Sequence, residues 1–228
     1  GRDLLFKELD KINLSDRVLL SNDAEAAYQV CCPSNEGLLV TVGTGVICIG
    51  RNELGELSRT AGKGHYSGDM GSGFWIGSQS IIKLSMQDEV CINNPIDAKE
   101  LLNMIYDVLE ISNLDDDIEQ VLNSSEAVRK VASLSKHIID LANNHNEIAL
   151  SIIQEATTFI SDYIIELADK LGYQSKDLVL AANGSVIKNQ FFRKALNDAL
   201  QFNFNRINWI ISKLSPAYGA AILAAKYK

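Results

Sequence analysis

The spacing of apolar residues along this chain changes character twice. Leu38, Leu39, Val40 and Val42, and then Val46, Ile47, Cys48 and Ile49, form two short continuous runs bounded by glycine, the mark of buried strands. Only Gly43, Thr44 and Gly45 separate them, so the pattern predicts a hairpin with a bare glycine tip. A shorter run over 17–21 predicts a strand that ends where Asn22, Asp23 and Ala24 open a helix-like segment reaching Val30. Residues 1–16 read as the end of an amphipathic helix leading into that strand.

From residue 72 the spacing becomes three and four. Trp75, Ile76, Ser80, Ile81 and Leu84 share one face of a helix predicted over 72–86, with its start at about Gly71 and Trp75 as packing. Cys91 to Pro95, with Asn93 and Asn94, break it. Amphipathic segments follow over 97–110, 115–123 and 125–142, and 147–171 reads as one long helix ended by Gly172. Strand character returns at 177–182, followed by a glycine turn at Gly184, a helix over 188–200, a strand at 208–211 and a last helix opened by Pro216. The expected fold class is α/β: a mixed sheet with flanking helices and an all-helical insertion.

Composition narrows the possibilities. The 228 residues are 46% hydrophobic, enough for a sizeable core. Twenty-one basic against 29 acidic residues give a net charge of −8 with no basic stripe, which argues against nucleic acid as a partner. Cys31, Cys32, Cys48 and Cys91 contain no Cys-x-x-Cys pair and read as reduced thiols that fill apolar space. His137 and His145 lack a partner at metal-ligand spacing, and no metal site is expected from the protein's own side chains. No secretory signal or run of about 18 apolar residues is seen, so the expectation is a cytoplasmic protein without a membrane partner.

Candidate chemistry concentrates in residues 62–77, which hold six glycines and Asp69 and run into the predicted helix. Glycines allow close backbone approach to a ligand, and a helix start adds unpaired N–H donors. A carboxylate beside such amides suits a polyol, whose hydroxyls need both donors and acceptors. Asp69 as a plain helix cap stays open beside that reading. Asp23, where a strand ends and a helix begins, is either an N-cap or a general base. The amides and the threonine hydroxyl of Gly43, Thr44 and Gly45 could hold a phosphate. Gly62, Lys63 and Gly64 do not form a Walker A loop, because Lys63 is followed by glycine and no glycine precedes at the required spacing.

In order, the Asn22-Asp23-Ala24 strand end, Gly43-Thr44-Gly45, Gly62-Lys63-Gly64-His65 and Gly68-Asp69 followed by Gly71-Ser72 resemble the N-acetylglucosamine kinase branch of the BadF/BadG/BcrA/BcrD ATPase family. Ala182-Asn183-Gly184-Ser185 and Pro216-Ala217-Tyr218-Gly219-Ala220-Ala221 resemble its adenosine motif and closing helix. The resemblance spans about residues 17 to 225. It implies a ribonuclease-H-like, actin-like ATPase fold and ATP- and Mg²⁺-dependent phosphorylation of an amino sugar such as N-acetylglucosamine or glucosamine. The γ-phosphoryl group would pass in line to a sugar hydroxyl. By the same resemblance Asp23 is the general base, Gly62, Lys63, Gly64 and Asp69 bind the sugar, and Gly43, Thr44, Gly45, Gly184 and Ser185 bind the nucleotide. A small-molecule sugar is the implied partner, with a homodimer left open.

The family's opening Asp-x-Gly-Gly-Thr hairpin has no counterpart here. The expectation is therefore a remainder of an N-terminal lobe over 1–36, a C-terminal ATPase lobe over 37–215 with a helical insertion at about 90–172, and a closing helix over 216–228. A chain of that make-up is expected to transfer little or no phosphate by itself. Lys63 stands where relatives often carry Trp and Met70 where they often carry Glu, which leaves the identity of the sugar open. Asn183 replaces the first glycine of the usual Gly-Gly turn, and Val46 replaces a serine. Two other readings remain: an ATPase of the dehydratase-activator type, and a non-catalytic sugar-binding protein.

Overall fold

A computed structural model describes residues 2–12, 23–32, 37–64, 68–122, 124, 126–173 and 177–226. The strand expected over 17–21 and loop residues 65–67 lie outside them. The two glycine-bounded runs form the expected hairpin, β1 (Gly37–Val42) and β2 (Val46–Arg51), with Val42 opposite Val46 across the tip. A further strand, β3 (Leu57–Ala61), continues antiparallel from β2. Its sequence, with Ser58, Arg59 and Thr60 at the centre, carries no apolar run, because as an edge strand it is covered only toward its end. β4 (Asp177–Asn183) lies parallel on the other side of β1, and β5 (Arg206–Ile211) parallel beyond it. Among the described residues the sheet is five-stranded and mixed, in the order β3-β2-β1-β4-β5.

The helices are α1 (Arg2–Lys11), α2 (Asp23–Cys31), α3 (Gly73–Ser85), α4 (Glu89–Asn93), α5 (Pro95–Leu109), α6 (Leu114–Leu122), α7 (Ala127–Asn143), α8 (Glu147–Lys170), α9 (Ser185–Lys188), α10 (Gln190–Leu200) and α11 (Pro216–Lys226). Strand alternation sends Leu38, Val40 and Val42 into a large core with α3, α5, α7, α8 and α10, and Leu39 into a small one with Ala24, Ala27 and Tyr28 of α2. α8 has the length and composition to cross a membrane, but half of its most apolar stretch is buried inside the protein, as expected of a core helix. Ile148, Ile152, Ile160 and Ile164 form its buried stripe, each such side chain contributing about 1.5–3 kcal/mol.

Close backbone contacts explain several glycines better than ligand approach does. A Cβ on Gly77 would lie 2.0 Å from Val131 O in α7, and one on Gly71 2.6 Å from Ala156 O in α8. These glycines let α3 sit against two neighbours, which modifies the reading of residues 62–77 as ligand loop throughout. The helix expected over 188–200 starts two residues later, as α10: Asn189 is extended (φ −64°, ψ 130°), and its Oδ1 accepts from Phe191 N and Phe192 N, capping α10 and separating it from α9. Trp75 packs edge-on to Phe159 with ring centroids 5.5 Å apart. All four cysteines are buried, and burial pushes the Cys32 and Cys48 thiols up to about 12, so both are neutral at physiological pH.

Candidate active site at the end of the sheet

β1 and β4 run parallel and end side by side, with Thr41 opposite Asn183. The hairpin tip follows one and the Gly184 turn the other, at the strand ends where open α/β sheets gather ligands. Gly184 is held at φ 97°, and a Cβ on it would fall 2.2 Å from Val42 O. Only glycine allows that approach, and it brings Gly184 and the exposed Ser185 against the end of β1.

α2 delivers Asp23 to the same end. Tyr28 donates its hydroxyl to Gly37 O at 3.1 Å and Cys32 Sγ lies 4.0 Å from Leu38 O, anchoring the C-terminal part of the helix at the start of β1. The helix therefore runs back along the strand, and nine residues at about 1.5 Å each carry its first residue toward the tip. Asp23 is exposed and opens α2.

Asp69 is 7% exposed, and its Oδ1 accepts from Lys63 N at 3.0 Å and Gly64 N at 3.2 Å. Its Oδ2 faces the hairpin, 2.9 Å from where a Cβ on Gly45 would stand. One carboxylate thus holds the Lys63–Gly64 backbone and lies beside the tip. It does not cap α3: Ser72 does, its Oγ accepting from Trp75 N at 3.2 Å. Nor does α3 start at Gly71 with free donors. Gly73 N donates to Gly43 O at 2.7 Å, Phe74 N to Thr44 O at 3.1 Å and Ile76 N to Ser72 O at 2.8 Å. The hairpin tip docks onto the helix start and consumes those amides, so the macrodipole orders the tip instead of meeting a ligand directly. A preference for serine over glycine at the N-cap was the signal in the sequence for this.

Two further features had no clear signal. Thr41, on the α2 side of β1, has a buried hydroxyl with no hydrogen-bond partner among the described residues. A groove of about 690 Å³ lies beyond α9, between α8 and α10, with Asn189, Gln190, Phe191, Gln154 and Asp140 in its wall. It assembles from segments far apart in the chain.

A model of the BadF/BadG/BcrA/BcrD ATPase family matches residues 9–224. The chain belongs to the BadF/BadG/BcrA/BcrD ATPase family. Within it, the chain is 30% identical over 213 residues to a protein of Clostridium acetobutylicum named N-acetylmuramic acid/N-acetylglucosamine kinase, covering 91% of this chain and 67% of that one. Among solved structures, one from Chromobacterium violaceum, provisionally assigned as an N-acetylglucosamine kinase, aligns with a TM-score of 0.66 at 21% identity over 90% of this chain and 65% of its own. A ROK family glucokinase from Streptomyces griseus, solved with glucose and AMPPNP, aligns at 0.54 and 15% identity over 95% of this chain and 72% of its own. The family member described here therefore has the ribonuclease-H-like, actin-like ATPase fold expected of it. It spans about two thirds of the length of the first two relatives.

Proposed function

We propose that this chain carries the sugar and nucleotide face of an ATP-dependent amino-sugar kinase acting on N-acetylglucosamine or a close analogue. The observation behind this reading is the convergence, at one end of the sheet, of the Gly43–Gly45 tip, the Gly184 turn and the Asp69-pinned loop, with α2 directed so that Asp23 opens it toward that end. The name of the Clostridium acetobutylicum relative supports the substrate class.

The chemistry follows from what each group can do. A sugar hydroxyl is a weak nucleophile at neutral pH, and Asp23 accepts its proton as the new O–P bond forms to the γ-phosphorus. The β,γ-bridging P–O bond breaks, and ADP leaves with its electron pair. Asp69 commits Oδ1 to two amides of its own loop, which leaves Oδ2 to orient a sugar hydroxyl. Thr44 and the amides of Thr44 and Gly45 would face the phosphates, Gly43 N being committed to Gly45 O at 2.9 Å; Gly184 and Ser185 would lie along the nucleoside, and the groove beside Asn189 has room for the base. Holding sugar and phosphate in line supplies about 7–11 kcal/mol of the barrier reduction. Among the described residues no three His, Cys, Asp or Glu side chains converge. A Mg²⁺ would enter chiefly on the nucleotide's phosphates, with Asp23 as the exposed carboxylate that could assist in holding it. Its charge would neutralise the phosphates. The reading places the enzyme in the cytoplasm, with a small sugar as partner.

The test is ADP release by the intact protein given ATP, Mg²⁺ and N-acetylglucosamine or glucosamine. Release that requires the sugar and yields a sugar phosphate is the expected result. Sugar-independent hydrolysis with no phosphorylated sugar would overturn the reading.

A further inference from the structure

A buried polar atom without a partner costs stability that an apolar atom of the same shape would not, so its presence calls for a cause. Among the described residues the Thr41 hydroxyl is such an atom. Its surroundings on the α2 face of the sheet offer nothing polar on three sides. Leu39 precedes it on that face of β1, Ile47 lies opposite it on β2, and Gly43, two residues on, has no side chain. On the fourth side stands Asn183, its partner in the register of β1 and β4.

Paired residues of neighbouring strands share a face, and a strand spacing of about 4.8 Å puts the Asn183 amide within reach of the Thr41 hydroxyl after a change of rotamer. Asn183 is partly exposed, and its side chain makes no hydrogen bond among the described residues. Two polar side chains thus stand side by side with their hydrogen-bonding capacity unused. They do so where the hairpin tip and the nucleoside turn meet: Thr41 comes two residues before Gly43, and Asn183 immediately precedes Gly184, which is packed against Val42 O.

Resting on the kinase reading of this end of the sheet, we infer that Asn183 binds the nucleotide and that Thr41 is its positioning residue. The Thr41 hydroxyl donates to Asn183 Oδ1, which turns the amide N–H₂ outward to a phosphate oxygen of the nucleotide. An N–H on a phosphate oxygen is a charge-assisted bond, and the hydroxyl behind the amide fixes which end of it faces the ligand. The same bond gives the hydroxyl the partner it lacks. Serine would serve in place of Thr41, whereas valine, of the same shape, would not.

The experiment uses the intact protein, its Thr41→Val, Thr41→Ser and Asn183→Ala variants and the Thr41→Val, Asn183→Ala double variant. KM for ATP, KM for N-acetylglucosamine, calorimetric ADP affinity and melting temperature are measured on each. Thr41→Val should raise KM for ATP and weaken ADP binding about tenfold, with KM for the sugar held within about twofold and the melting temperature unchanged or higher. Thr41→Ser should keep both nucleotide constants. Asn183→Ala should lose at least as much as Thr41→Val, and the double variant no more than Asn183→Ala, because one residue acts through the other. Unchanged nucleotide constants in Thr41→Val, losses that add in the double variant, or equal losses on ATP and sugar with a lowered melting temperature would each overturn the proposal, and sugar phosphate made by the unsubstituted protein would leave the kinase reading intact. If no sugar phosphate forms but ADP binds in a way that depends on both residues, the kinase reading fails and the pair stands. Absence of ADP binding by the unsubstituted protein overturns both.

Discussion

The two faces of the sheet are built to different standards. The α8 side buries Leu38, Val40, Val42, Leu178, Leu180 and Ala182 under a thick layer of helices, with Phe192, Leu196 and Ile152 at 0% exposure. The α2 side buries little more than Leu39, Ile49 and Ala181 against one short helix, while Ile210 of β5, level with Ala181, stays 41% exposed. It is on this thin side that the orphaned Thr41 hydroxyl and the start of α2 lie. The two faces thus divide the packing unequally: one is close-packed beneath the groove beside α10, and the other keeps polar groups at its upper end.

That contrast can be broken by substitution. The largest effect is expected at Asp23: in the intact protein Asp23→Asn should lower turnover by about 10²–10⁴, with sugar affinity held within a few-fold and the melting temperature little changed. Lost stability with undiminished turnover would make Asp23 a helix cap and take the chemistry off the thin face. On the thick face Phe192→Ala should cost about 3–5 kcal/mol in denaturant unfolding. A cost below about 1 kcal/mol would mean that the α8 side is not the close-packed face described.

Asp69 sits between the two roles and should show both. Removing its carboxylate leaves Lys63 N and Gly64 N without their acceptor, so Asp69→Ala should lose about 1–3 kcal/mol of stability and also weaken sugar binding. Asp69→Asn keeps an acceptor for the two amides and removes the charge. Its stability should recover while sugar affinity stays low, and recovery of both would reduce Asp69 to a loop brace. The smallest effect belongs to the thin face's rim: Ile210→Ser should shift unfolding free energy by no more than about 0.5 kcal/mol. A larger loss would reveal that β5 is covered in solution.

Alkaline titration sharpens the same contrast. The Cys48 thiol on the thick face and the Cys32 thiol on the thin one are both raised by burial to about 12. A group whose folded-state pKa is raised contributes stability that is present below its unfolded value, near 9, and lost as pH climbs through the folded one. Stability should therefore decline between about pH 9 and 12, and alkylation of native protein at pH 8 should be slow at both thiols.

Local pattern alone determined the mixed α/β class, the hairpin at Gly43–Gly45, the long helix ended by Gly172 and the helix start at Asp23, because each rests on periodicity or on a residue with a fixed backbone preference. The same level gave the Asp69 loop as a place of chemistry but could not say which oxygen was free. Only tertiary structure decided that the α3 amides are consumed by the carbonyls of Gly43 and Thr44, that Ser72 and Asn189 are the caps, and that Gly71 and Gly77 serve helix packing. It also decided the addition of β3 as an edge strand and the meeting of Thr41 and Asn183 at the end of the sheet. Hydrogen-bond partners and charge neighbours depend on which distant segments come within about 3 Å of each other, and no spacing along a chain encodes that distance.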